Sequence, residues 1–191
     1  MKIVIDIDEV LRQFINRLII VYKHYYPDHE IKEITEWKLA PFFPIGDRIT
    51  DFYAKNFTLN IYLYADPFEG TKKFIDILKE MNHDIILVSS QPSLEAEKFT
   101  IDWLEKNNIY YDVISFMNKK RSKHKWLIEG DIYLDDSPEN IIELRKQGKR
   151  AVYFTKKWNE NYPGERVSSF QEFIDLVKNM DEIEEITGIG V

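Results

Sequence analysis

Lys2-Ile3-Val4-Ile5-Asp6-Ile7-Asp8 and Asp131-Ile132-Tyr133-Leu134-Asp135-Asp136 carry the reading of the fold. Each is a short apolar run that halts on a pair of carboxylates. A strand with one wet face alternates apolar and polar residues. An unbroken apolar run is what a parallel strand covered on both faces requires. Three further runs have this form: Asp84-Ile85-Ile86-Leu87-Val88, halting at Ser89-Ser90, a weaker one over residues 111–116, and Arg150-Ala151-Val152-Tyr153-Phe154. Helical spacing separates them. Residues 70–82 place Phe74, Ile77, Leu78 and Met81 on one stripe, and residues 94–107 do so with Phe99, Trp103 and Leu104. Residues 138–148 carry Ile141, Ile142 and Leu144 and stop at Gly148. Residues 169–180 carry Phe170, Phe173, Ile174 and Val177. Strands and helices in this order, joined by right-handed crossovers, give a three-layer, doubly wound α/β fold around a central parallel sheet.

Residues 14–68 break the rhythm, since they contain no convincing buried strand. They hold 13 of the chain's 27 aromatic residues, an enrichment of about 1.7-fold over the whole chain. The expected organisation is an α/β core of residues 1–13 and 69–180, a small helical unit of residues 14–68, and a flexible tail of residues 181–191. The rings of the helical unit either form its own core or line a pocket for a planar ligand.

The 191 residues are 44% hydrophobic and 31% charged, as a folded globular chain requires. The net charge of −7 repels phosphate backbones and anionic lipid, which argues against a nucleic-acid polymer or a membrane as partner. No run approaches the ~20 apolar residues that span a bilayer, and the first eight residues are too acidic for a signal peptide. A cytoplasmic location is expected. The absence of cysteine removes disulfides, thiolate metal sites and cysteine nucleophiles together. His24, His29, His83 and His124 show no ligand spacing and read as surface or loop residues.

Ligands of open α/β sheets sit beyond the carboxyl ends of the strands. The residues that end each run are therefore informative: Asp6 and Asp8 for the first, Ser89 and Ser90 for the second, Asp135 and Asp136 for the fourth. The basic run Lys119-Lys120-Arg121-Ser122-Lys123-His124-Lys125 stands just ahead of the fourth. Four carboxylates, two hydroxyls and a lysine thus converge on one sheet edge. Carboxylates gathered in this way need a cation among them, and an all-oxygen ligand set favours Mg²⁺ over zinc.

This order resembles the haloacid dehalogenase superfamily of aspartate-nucleophile phosphatases. Asp6-Ile7-Asp8-Glu9-Val10 is similar to its first motif, Ser89 to the second, and Asp135-Asp136 to the fourth. The ten-residue step from Lys125 to Asp135 resembles the 5'(3')-deoxyribonucleotidase branch, as does Phe14 a few residues after the first motif. Lys123, Lys119 and Lys98 remain rivals of Lys125 for the phosphate-binding lysine. Tyr153-Phe154-Thr155, leading to Trp158-Asn159, resembles a segment near the end of bacterial nucleotidases. Two departures stand out: Ser89 replaces the branch's usual threonine, and Ser90-Gln91-Pro92 is one residue longer than the usual Ser-Pro.

The resemblance implies a Mg²⁺-dependent phosphomonoester hydrolase, specifically a 5'-nucleotidase acting on (deoxy)nucleoside monophosphates, with a phosphatase for a sugar phosphate or similar metabolite as the alternative. It implies that the helical insertion is a cap over the site. It assigns Asp6 as nucleophile, forming an aspartyl-phosphate, and Asp8 as general acid/base. Ser89, Ser90 and Lys125 would bind phosphate. Asp6, the main-chain carbonyl of Asp8, and the Asp135–Asp136 pair would hold Mg²⁺, with the direct ligand of that pair left open. Phe14, Trp37, Phe43 and Tyr62 are the candidates for the substrate pocket. Glu9 is either an outward-facing residue or a determinant of cap and substrate. The sequence leaves a homodimer open.

Overall fold

A computed structural model of the chain describes residues 1–117 and 124–187. Its six strands form one fully parallel sheet: β1 (Lys2–Asp6), β2 (Asp84–Ser90), β3 (Val113–Met117), β4 (Ile132–Asp135), β5 (Ala151–Phe154) and β6 (Arg166–Val167), in the order β3-β2-β1-β4-β5-β6. β1 lies at the centre, with Ile3 registered against Ile85 of β2 on one side and Ile132 of β4 on the other. The order reverses there, so the carboxyl ends of β1, β2 and β4 open onto one crevice.

Both faces of β1 are buried, which explains its unbroken apolar run. Ile3, Ile5 and Ile7 pack with residues of α4 (Thr71–Glu80) and α7 (Phe170–Thr187), including Phe74, Leu78, Phe173 and Val177. Val4, between them, points to the other layer with Val88, Tyr133 and the Ile141 and Leu144 of α6 (Pro138–Lys146). α6 is opened by Ser137, whose hydroxyl accepts from Asn140 N, with Pro138 in the first turn. It is followed by Gly148 at φ +73°, the left-handed stop read from sequence. α5 (Leu94–Lys106) is capped in the same manner by Ser93, whose hydroxyl accepts from Ala96 N.

Residues 14–66 add no strand to the sheet. They form α1 (Phe14–Tyr25), α2 (Arg48–Asp51) and α3 (Thr58–Tyr62), linked by irregular and short helical turns. Their core is separate: Phe14, Leu18, Tyr22, Phe43, Ile49, Phe52, Ile61 and Tyr62 bury one another. A π-helical turn over Phe52–Asn56 brings the Phe52 and Phe57 rings to 4.4 Å.

Three expectations are corrected. β6 is an additional strand; at two residues it is too short to leave a periodic signal. Residues 181–187, read as tail, continue α7, because Met180 is buried and Asp181 Oδ2 lies 3.1 Å from His83 Nε2. His83 lies in the loop between α4 and β2, as expected, but is buried rather than at the surface, with its Nδ1 3.2 Å from the N-terminal amine. Residues 188–191 lie outside the described residues. Among those described, no helix is long and apolar enough to cross a membrane.

Candidate active site

The carboxyl ends of β1 and β4 present Asp6 and Asp135 side by side, and both are buried. Lys125, in a 3-10 turn ahead of β4, inserts its ammonium between them, with Nζ 2.6 Å from Asp6 Oδ1 and 2.5 Å from Asp135 Oδ2. Burial works against the lysine's charge, but the Asp135 and Asp6 carboxylates outweigh it and hold its pKa above the ordinary value. For Asp6 the balance falls the other way. Burial pushes its carboxyl up to about 8, Lys125 opposes this, and Asp135 and Asp8 add to it.

Asp135 is further fixed by Ser137 N at 2.8 Å and by Asn140 Nδ2 at 3.0 Å, so the first turn of α6 braces the ligand loop. Asp136 is fully buried. Its Oδ2 accepts from Trp158 Nε1 at 3.1 Å, while its Oδ1 has no partner. Burial, then Asp6, Asp135 and Glu9, raise the Asp136 pKa well above the usual carboxylate range. Asn159 ties this loop to the neighbouring strand, donating to Asp136 O at 2.9 Å and Phe154 O at 2.8 Å. One oxygen each of Asp6, Asp135 and Asp136 lie within 4.8 Å of one another. An unpartnered buried carboxylate oxygen beside two further carboxylates is a donor set suited to a hard divalent cation such as Mg²⁺.

Asp8 lies on the turn after β1. Arg12 Nε donates to its Oδ1 at 2.8 Å, and Gln91 Nε2 donates to its Oδ2 at 3.0 Å. Ser89 is buried at the end of β2. Its Oγ receives Gln91 Nε2 at 2.6 Å and stands 3.4 Å from Asp8 Oδ2. Ser90, one residue on, is exposed.

Glu9 is neither outward-facing nor idle. It is buried at φ +60°, and its Oε1 accepts from Ile15 N at 2.7 Å, closing the N-terminus of α1 with a carboxylate. Lys156 Nζ sits 3.6 Å from Glu9 Oε2 and 3.8 Å above the Phe68 ring. The surroundings therefore hold five carboxylates, those of Asp6, Asp8, Glu9, Asp135 and Asp136. Among the described residues, Arg12, Lys125 and Lys156 stand against them.

The structure thus brings together Asp6, Asp8, Ser89, Lys125, Asp135 and Asp136. Lys98 is elsewhere, exposed on α5 and 3.5 Å from Asp102, while Lys119 and Lys123 lie outside the described residues. Of the aromatic candidates, Phe43 is packed edge-on against Tyr22 inside the aromatic core. Tyr62 is buried 5.3 Å from Phe14 and lies against the Arg12 guanidinium. Trp37 is 41% exposed and stands 6.3 Å from Trp158, the residue that bonds Asp136. Sequence reasoning did not assign Arg12, Asn140 or Lys156. Asn140 could have been found as a polar residue in the first turn after Asp135-Asp136. Lys156 lies within a segment already singled out.

A family model described as 5' nucleotidase, deoxy (pyrimidine), cytosolic type C protein matches residues 1–181. The chain belongs to this family. It is accordingly a phosphatase of the haloacid dehalogenase superfamily. A relative of this type C nucleotidase-family chain is a provisionally named 5'(3')-deoxyribonucleotidase of Chlorobaculum tepidum. It is 25% identical over 185 residues, covering 91% of this chain and 88% of the relative. Two solved structures show the same fold. A predicted phosphatase from Clostridium acetobutylicum has a TM-score of 0.66 at 14% identity, covering 93% of this chain and 98% of its own. A haloacid dehalogenase-superfamily hydrolase from Ehrlichia chaffeensis has a TM-score of 0.53 at 14% identity, covering 93% and 96%.

Proposed function

We propose that the protein is a Mg²⁺-dependent 5'-nucleotidase that hydrolyses (deoxy)nucleoside monophosphates through a phosphorylated Asp6. The observation that carries this is the buried cluster at the strand ends: Asp6, Asp135 and Asp136 within reach of one cation, with Lys125 between the first two. Asp6 at the tip of the central strand is the nucleophile. Asp8, two residues on, hands a proton to the leaving 5'-oxygen and takes one from the water that cleaves the acyl phosphate. Lys125, Ser89 and Ser90 meet the phosphoryl oxygens. Mg²⁺ would be held by Asp6, the main-chain carbonyl of Asp8, and Asp135 with Asp136; the free Oδ1 of Asp136 is the donor with nothing else to do. When bound, the ion screens the nucleophile from the phosphate dianion.

Residues 14–68 act as the cap over a core of residues 1–13 and 69–180. Phe14, Tyr62 and the exposed Trp37 supply its apolar face toward a nucleobase, whereas Phe43 serves the cap's own packing. The name of the Chlorobaculum tepidum relative and the family's description both favour nucleotides. The test is phosphate release from nucleoside 5'- and 3'-monophosphates and sugar phosphates, with Mg²⁺ or EDTA. Mg²⁺-dependent turnover favouring 5'-nucleotides is expected. Turnover confined to sugar phosphates would overturn the substrate assignment and leave the chemistry standing.

A further inference from the structure

Arg12, like Asp136, is a charged side chain near the site with no exposed surface. A guanidinium taken wholly out of water is stable only where its donors are met. Here Nε and Nη2 both lie 2.8 Å from Asp8 Oδ1. Nη1 donates to Tyr62 O at 3.0 Å and Nη2 to Thr100 Oγ1 at 3.1 Å. The Tyr62 and Trp103 rings stand 5.1 Å and 5.2 Å from the guanidinium carbon. The side chain is therefore held by α3 of the aromatic segment, by α5 of the core, and by Asp8. It cannot follow if Asp8 turns.

We infer that Arg12 is a positioning residue that sets the orientation of the Asp8 carboxylate and fixes which of its oxygens faces the substrate. The inference rests on the reading of Asp8 as general acid/base. Two N–H groups occupy Oδ1, so a proton passes to and from the leaving oxygen at Oδ2. The partners of Oδ2 are neutral and one of them is long: Gln91 Nε2 at 3.0 Å and Ser89 Oγ at 3.4 Å. A carboxylate on a loop has two free torsions, and a forked donor held at both ends removes them, whereas a lysine ammonium would not. Because Nη1 is bound to the Tyr62 carbonyl, the same fork ties the angle of Asp8 to the position of the aromatic segment.

The test compares kcat/KM on a nucleoside 5'-monophosphate, whose alkoxide leaves only with a proton, and on p-nitrophenyl phosphate, whose phenolate leaves without one. Taking the ratio within one preparation cancels any inactive fraction. Arg12→Met should lower kcat/KM on the nucleotide by about 10²-fold or more and on the aryl ester by less than about 10-fold. Arg12→Lys should recover part of the ratio. Thr100→Val, which removes one anchor of the fork and leaves Arg12 and Asp8 in place, should shift it several-fold in the same direction and serves if Arg12→Met does not fold. Equal losses on both esters in Arg12→Met and Thr100→Val, with Asp8→Asn losing more on the nucleotide than on the aryl ester, would overturn the role of Arg12. Equal losses on both esters in Asp8→Asn would instead overturn the reading of Asp8 itself.

Discussion

The strand ends and the aromatic segment meet at the Arg12 guanidinium, yet they are built from opposite materials. On the sheet side, functional groups come from residues as far apart as Asp6, Ser89, Lys125 and Asp135, assembled by parallel strands and held by short charged hydrogen bonds. On the other side, one continuous piece of chain packs ring on ring, as Phe52 does with Tyr22 and Phe57. The first region concentrates charge where charge is costly, and its stability depends on partners being present. The second depends on apolar area and shape. Substitutions in the two regions should therefore be felt in different ways, and Mg²⁺ is the probe that separates them.

Lys125→Met has the largest expected effect. It leaves Asp6 and Asp135 buried without their cation, which should cost about 3–5 kcal/mol of stability in EDTA. It also makes the site more negative, so added Mg²⁺ should raise the melting temperature of this variant more than that of the wild type. Chemical denaturation with and without Mg²⁺ measures both. An unchanged Mg²⁺ response would mean that the lysine and the cation do not share these carboxylates.

Phe52→Ala comes next. Phe52 is almost fully buried, and its loss should cost about 3–5 kcal/mol, a penalty like that of the lysine. Its stabilisation by Mg²⁺ should nevertheless match that of the wild type, because the rings around Phe52 are those of Tyr22, Tyr25, Tyr26 and Phe57. A Mg²⁺ response altered as strongly as in Lys125→Met would dissolve the distinction between the two regions.

The sequence revealed these regions unequally. The apolar runs ending in Asp6, Ser89 and Asp135 were legible because a parallel strand needs apolar residues throughout and puts its chemistry at the carboxyl end. Lys125 was legible only through the resemblance of its ten-residue step to Asp135 to that of the deoxyribonucleotidase branch, which left Lys123, Lys119 and Lys98 as rivals. Arg12 was not, because four residues past Asp8 it reads as a helical or solvent-facing charge until α3 and α5 are seen to enclose it. The aromatic segment was recognisable as a unit, but its rings could not be sorted. Phe43 and Trp37 differ in burial through tertiary packing alone, and neither has a periodic neighbourhood to mark its side. The extension of α7 to Thr187 was hidden for a similar reason, since it depends partly on the contact between Asp181 and His83.

That contact gives the smallest effect and lies outside both regions. Burial, followed by the N-terminal amine, lowers the His83 pKa from its ordinary 6.5 against the opposing pull of Asp181. A base whose folded pKa lies below its unfolded value contributes stability that is present above the unfolded pKa and lost as pH falls through the folded one. The stability that His83 contributes should therefore be lost as pH drops below about 6.5. The stability difference between wild type and His83→Gln should change over that range, while the contribution of the buried carboxylates is common to both. Equal slopes in the two proteins would remove His83 as the cause.

The central claim is that Asp6, at the tip of the central strand, carries the phosphoryl group. Acid quenching during turnover with Mg²⁺, followed by peptide mass spectrometry, addresses this directly. The account predicts one phosphoryl group on the peptide containing Asp6, absent in Asp6→Asn along with turnover. Phosphate on another residue, or full turnover by Asp6→Asn, would contradict it.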